Sequence, residues 1–155
     1  SYIQEPKICP KNKMVSIVCS MNSWLPGHQQ RLAMVEQLAP YAPWFGRGRG
    51  DMELKNKEDG LCDYMFSVAI ENDRRYFSEK IIDCFLTGTI PIYYGHPGIG
   101  KWFNTDGIIL LDDGFDIEAL TEDMYYSKMD AIKDNFERAL KMEILEDFIW
   151  ETYHV

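Results

Sequence analysis

Soft metal ligands are scarce in this chain, with 4 cysteines and 3 histidines among 155 residues. Cys9, Cys19, Cys62 and Cys84 show no CxxC spacing, which speaks against a zinc site. Cys19 and Cys84 stand inside apolar runs and read as buried thiols. No stretch approaches the roughly 18 apolar residues of a membrane span, and no signal-peptide pattern opens the chain. A reducing, cytoplasmic compartment is therefore the expectation. Positive charge is also short: 16 Lys and Arg face 25 Asp and Glu, for a net charge of -9. Nucleic-acid binding relies on many phosphate neutralisations, so a broad polyanion surface is excluded, while a small anion remains compatible wherever cations cluster. Internal repeats, low-complexity segments and domain linkers are absent as well.

What is present is the composition of a soluble globular protein, 46% hydrophobic and 26% charged. The length suits one well-buried core, and residues 1–155 are read as a single domain. Residues 14–20, MVSIVCS, form a short apolar run expected to be a buried strand. A loop with Asn22, Pro26 and Gly27 follows, then a helix from His28 to Leu38 that Pro40 and Pro43 stop. Trp44-Phe45 reads as a short strand before the turn Gly46-Arg47-Gly48-Arg49-Gly50, and residues 51–60 read as polar and mobile. Tyr64–Ile70 is the next buried strand. Ser78 caps a helix carrying Glu79, Lys80, Ile81, Ile82, Phe85 and Leu86, which Gly88 ends. Thr89–Tyr94 has strand composition, although Pro91 cannot donate to a ladder and marks the strand's start or an edge. Ile108–Leu111 is one more short strand.

After Asp116 the pattern is helical, with Met129, Ile132, Phe136 and Leu140 on one stripe and Ile144, Phe148 and Ile149 beyond it. Trp150 and Tyr153 belong to that helix, which either covers the sheet or mediates a homo-oligomer. Strands alternating with helices imply right-handed βαβ units, hence a Rossmann-like, open, mostly parallel α/β sheet flanked by helices, with a helical C-terminal segment.

Potential chemistry concentrates where the Tyr64–Ile70 strand hands over to its helix, the place where open parallel sheets bind ligands. Glu71 and Asn72 end the strand, and polar groups there need partners or solvent. Glu79 and Lys80 fall in the first turn of the helix, where free N–H groups and the dipole favour an anion. A lysine in that turn is mildly disfavoured, which weighs against a purely solvated reading. Glu79 is either ordinary helix-start chemistry or an acceptor for ribose hydroxyls. Arg31 is either a surface ion-pair residue or a forked phosphate ligand reaching over the strand ends. Asp112-Asp113 reads as an acidic turn rather than a metal site.

The runs KMVSIVCSMN and FGRGRG, the block FSVAIEN with YFSEKIIDCFLTGTIPIYYG, and the later KWFN together resemble the donor-binding C-terminal domain of the α-1,3/4-fucosyltransferase family. The resemblance spans most of residues 13–110. It implies one half of a two-domain GT-B architecture that transfers fucose from GDP-fucose to a glycan or other hydroxyl acceptor, with inversion and without an essential metal or other cofactor. Carried over residue by residue, it implies that Arg31 and Lys80 hold the diphosphate, Tyr76 contacts the nucleotide and Glu79 holds the ribose. Glu71 and Asn72 would face the donor sugar or organise the loop. Two departures stand out. The segment between Asn72 and Tyr76 is about two residues shorter than the family pattern. The acceptor domain, which the resemblance expects to supply the general base, has no counterpart here, so Glu71 is the candidate catalytic base for a chain acting alone. The alternative is a module that binds a nucleotide or nucleotide sugar without transfer. A flavodoxin-like or receiver-type domain is a weaker third reading, lacking a flavin loop and a clear acidic pocket.

Overall fold

The computed structural model describes residues 2–153, with side chains for residues 2–143. The apolar positions Ile144, Phe148, Ile149, Trp150 and Tyr153 lie outside the described side chains. Five strands, β1 (Lys13–Val18), β2 (Trp44–Phe45), β3 (Tyr64–Ile70), β4 (Ile90–Tyr94) and β5 (Ile109–Leu110), pair in parallel in the order β2-β1-β3-β4-β5. This is a doubly wound Rossmann-like sheet. α1 (Pro26–Leu38) connects β1 to β2, and α2 (Glu79–Phe85) connects β3 to β4. α3 (Glu122–Ser127) and α4 (Met129–Tyr153) follow β5.

β3 is buried at all seven positions because helices cover both of its faces. Phe66, Val68 and Ile70 share one core cluster with Val35 of α1, Tyr125 of α3 and Ile132 of α4. Ala69 belongs to the other, with Ile81, Cys84 and Phe85 of α2 and Ala139 of α4. The start of α4 thus packs into one layer and its middle into the other, so the helix wraps the sheet. Pro91 is tolerated because the short β5 begins opposite Ile92, leaving no β5 neighbour beside the missing N–H.

One expectation is corrected. The helical C-terminal pattern is broken at Lys128, between α3 and α4. Residues 51–60, read as polar and mobile, include 3-10 turns at Gly50–Met52 and Lys57–Gly60. Cys9 is bonded to Cys62, whereas Cys19 and Cys84 are the buried free thiols expected. Such a bond persists in oxidising surroundings, so the low cysteine count is no mark of a reducing one. Among the described residues no helix is long and apolar enough to cross a membrane.

Candidate functional site

In the order β2-β1-β3 the chain winds away from β1 in both directions, so the loops after β1 and β3 separate and leave a crevice at their C-terminal ends. A cleft of about 580 Å³ occupies that position. Its floor is Val18, Cys19 and Ser20 at the end of β1, with Asn72 beyond β3; α1 contributes His28 and Arg31, and α2 contributes Glu79 and Lys80. The far wall is Gly46, Arg47 and residues 53–57. Five cations (Arg31, Arg47, Lys55, Lys57, Lys80) line it against two carboxylates, Glu53 and Glu79. The cleft is therefore locally positive in a chain of net charge -9.

Arg31 is 4% exposed, which removes the surface ion-pair reading. Its Nη1 donates to Asn72 Oδ1 at 2.6 Å, and its Nη2 reaches the Ser20 carbonyl and hydroxyl at 3.3 Å and the Asn22 carbonyl at 3.4 Å. The guanidinium thus spans the two diverging strand ends. All these partners are neutral, so its charge remains available to an anion. The close seating of α1 depends on Gly27: a Cβ there would stand 2.2 Å from the Asn72 carbonyl oxygen.

Glu71 lies beneath the cleft rather than on its wall, 3% exposed. It accepts from the Ser78 backbone N–H at 2.8 Å and from the Ser78 hydroxyl at 2.8 and 3.0 Å. Lys80 Nζ stands 3.5 Å from Glu71 Oε2 and 3.4 Å from Ser78 Oγ. A carboxylate occupied in this way organises the start of α2. Ser78 caps α2 as its sequence implies, its hydroxyl accepting from the Lys80 N–H. Burial opposes ionisation of Glu79, but Lys80, the Glu79 backbone N–H and Lys57 together hold its carboxyl below the usual range.

Tyr76 is not brought to the cleft; it is 51% exposed. The reason lies in the short connection after Asn72. Asp73 accepts from the Arg75 backbone N–H at 2.8 Å and pairs with its guanidinium, while Arg74 donates to the Gly95 carbonyl at 3.0 Å and stacks over Tyr94. Asp112 behaves as the acidic turn expected, accepting from the Gly114 N–H at 2.9 Å.

The sequence reading missed His28, Lys57 and Asp83. Asp83 is fully buried on α2 and pairs with Lys57 Nζ at 2.7 Å, fastening the wall of residues 53–57 to the helix. An acidic residue amid the apolar run IIDCF was the available signal. Arg47 lines the cleft, whereas Arg49 lies over the Trp44 ring at 4.2 Å. Among the described residues no group of three or more His, Cys, Asp or Glu is arranged to hold a metal ion.

Fold and site together define a doubly wound α/β unit with an anion-suited cleft at its switch point. The chain is similar to α-1,3-fucosyltransferases over part of its length, consistent with the C-terminal domain of that family. It is 40% identical over 62 residues to the α-(1,3)-fucosyltransferase FucT of Helicobacter pylori, covering 39% of this chain and 13% of that protein. It is 38% identical over 72 residues to α-(1,3)-fucosyltransferase B of Drosophila melanogaster, covering 44% of this chain and 16% of that one. A crystal structure of an α1,3-fucosyltransferase superimposes with a TM-score of 0.56 at 29% identity, over 82% of this chain and 38% of the other. The GDP-fucose complex of an α1,3-fucosyltransferase gives 0.55 at 29% identity, over 85% of this chain and 38% of the other. The chain thus spans well under half the length of these relatives. No family model matches the sequence.

Proposed function

We propose that this chain is the donor-binding unit of a fucosyltransferase-like glycosyltransferase and holds a GDP-sugar, GDP-fucose first among candidates, in the switch-point cleft. The observation that carries this reading is the un-neutralised Arg31 guanidinium placed across the cleft from Lys80, in a fold similar to α1,3-fucosyltransferases solved with GDP and with GDP-fucose. Arg31 and Lys80 hold the diphosphate, Glu79 accepts from the ribose hydroxyls, and Asn72 positions Arg31 while facing the donor. Tyr76 reaches the nucleotide only by movement of residues 73–77. Positive groups on the diphosphate stabilise a departing GDP without a metal ion. The transferred sugar goes to a hydroxyl acceptor.

A second reading, donor binding without transfer by this chain alone, draws support from the open strand-end face and from the 38% coverage of the solved structures. Calorimetric titration with GDP, UDP, ADP and GDP-fucose, with and without divalent cation, tests both. The expected result is metal-independent selectivity for GDP and GDP-fucose. Lys80→Ala removes a charge-assisted contact of about 1.5–3 kcal/mol, a weakening of roughly 10- to 100-fold. Equal binding of all nucleotides, or of none, overturns the donor assignment; transfer by the isolated chain would exclude the second reading.

A further inference from the structure

His28 and Arg31 stand one turn apart on α1, and both line the cleft. They are 8% and 4% exposed. Each carries a nitrogen that is sealed from solvent and lacks a hydrogen-bond partner, Nδ1 of His28 and Nε of Arg31. Buried polar atoms are seldom left this way, because each costs the desolvation of the group with nothing in return. The fold itself therefore leaves polar groups unsatisfied on this stretch of α1, and the same two side chains line the cleft beside Lys80. Trp24 from the β1–α1 loop, itself exposed, lies tilted beside the imidazole with ring centroids 6.1 Å apart.

We infer that His28 is a proton-accepting member of the anion site, neutral in the empty cleft and protonated when a diphosphate occupies it, so that donor binding takes up a proton. The inference rests on the GDP-sugar reading above. The charges that act on the imidazole are Arg31 on its own helix and Lys80 on α2; the cleft also holds Cys19, the carboxylates Glu53 and Glu79 and the cations Arg47, Lys55 and Lys57. Burial, then the Arg31 and Lys80 charges, hold the His28 ring below its ordinary value, so the empty site keeps it neutral. Burial likewise pushes the Cys19 thiol up, out of the physiological range. A bound diphosphate offsets both cations and offers oxygens to a protonated ring, reversing the electrostatic balance. Arginine, lysine and a doubly esterified diphosphate do not change charge between about pH 5 and pH 8, which leaves His28 as the titrating group in the cleft. His96 is elsewhere, accepting from the Gly98 N–H and packed on Trp102.

The test is calorimetry with GDP-fucose between about pH 5.5 and pH 7.5, in two buffers of different ionisation enthalpy, on the wild type and His28→Gln. Each unit of pKa rise on binding gives a tenfold difference in affinity across the window. The wild type should bind several-fold more weakly at the upper pH and show net proton uptake; His28→Gln should bind with a flat profile. Imidazole NMR of the wild type, titrated with and without sodium sulfate, supplies an independent readout, and sulfate should raise the His28 midpoint. GDP-fucose binding without proton uptake, or an unchanged slope in His28→Gln, overturns the inference and leaves the donor reading standing. If GDP-fucose does not bind, the donor reading falls and the sulfate titration decides: a raised His28 midpoint supports the proton-coupled anion site, and an unmoved one ends it. Should His28→Gln fail to fold, the wild-type proton uptake and NMR shift carry the decision.

Discussion

Glu71→Ala separates a positioning carboxylate from a catalytic one. The wild-type side chain accepts from two Ser78 donors at 2.8 Å and stands 3.5 Å from Lys80 Nζ. Truncation orphans those donors at about 1–3 kcal/mol each and removes the counter-charge of Lys80. Breaking a buried pair from one side costs about 3–5 kcal/mol. The pair here is long, the Lys80 side chain is 20% exposed, and costs within one network do not add. We therefore place the total near 3 kcal/mol, at the low end of that range. Glu71→Gln keeps the volume and one acceptor oxygen and should lose about half as much. In urea, with a slope of about 2 kcal/mol per molar, Glu71→Ala should lower the unfolding midpoint by about 1.5 M.

GDP titration completes the argument. Where the fold is retained, Glu71→Gln frees Lys80 from its carboxylate, so GDP affinity should hold or rise. A general base behaves differently: its loss abolishes transfer and leaves both stability and donor affinity intact. An unfolding midpoint of Glu71→Ala indistinguishable from the wild type would refute the positioning role.

Gly27→Ala places a methyl group 2.2 Å from a backbone oxygen that cannot rotate away, so α1 must shift from the β3 end; we expect a loss of about 1–3 kcal/mol together with weaker GDP binding, and native stability would show that the contact relaxes freely. The Cys9–Cys62 bond closes a loop over 53 residues of sequence separation, worth about 4 kcal/mol in the chain-entropy account. Cys9→Ser should therefore lower the urea midpoint by about 2 M, and dithiothreitol should do the same to the wild type but not to the variant. Glu79, held below the usual carboxylate range in the fold, contributes stability that is present above its unfolded value of about 4.3 and lost as pH falls through the folded one. The fall in wild-type stability between pH 7 and acid should accordingly shrink in Glu79→Gln, and equal acid sensitivity of the two proteins would contradict the shift.

The parts of the fold legible in the sequence are those whose signal is local. Tyr64–Ile70 reads as a continuous apolar run because both faces of β3 are covered, and the strand has those bounds. Ser78 before an apolar helix marks a cap that depends on nothing further away than Lys80. Lys80 is legible as a cleft residue from its place in the first turn of α2, whereas the residues around Arg31 leave a surface ion pair open until its burial is seen. Long-range polar pairing leaves no such mark. Asp83 stands inside an apolar run, but nothing local names its partner Lys57, 26 positions earlier. Asn135 interrupts the expected α4 stripe, yet it is fully buried, accepting from the Asn104 N–H at 2.7 Å and donating to the Asn104 carbonyl at 2.9 Å. Among the described residues the buried positions of α4 are Ala131, Ile132, Asn135 and Ala139, with Met129, Phe136 and Leu140 of the expected stripe half-buried. Tyr76 is placed at the nucleotide only by the resemblance, and the short Asp73–Arg75 turn before it decides where it points.

Proton balance separates donor binding from transfer. A base must take the acceptor hydroxyl's proton as the sugar bond forms, and it works best when its pKa lies near the working pH. Glu79 is held in the opposite direction by Lys80 and Lys57, which suits the ribose-acceptor role proposed for it better than that of a base. The Glu71 carboxylate is already occupied by Ser78 and Lys80. Glu53, on the far wall, accepts from the Gly48 N–H at 3.3 Å, an element set apart from the diphosphate cations. His28 is drawn toward protonation by the same diphosphate that the donor brings, so it enters the loaded site as an acid. On the proposed function the cleft receives negative charge and stabilises it on a leaving diphosphate. On this reading the base comes from outside the cleft, which is why the isolated chain is expected to bind the donor readily and to transfer the sugar only when a second domain or partner faces the strand ends.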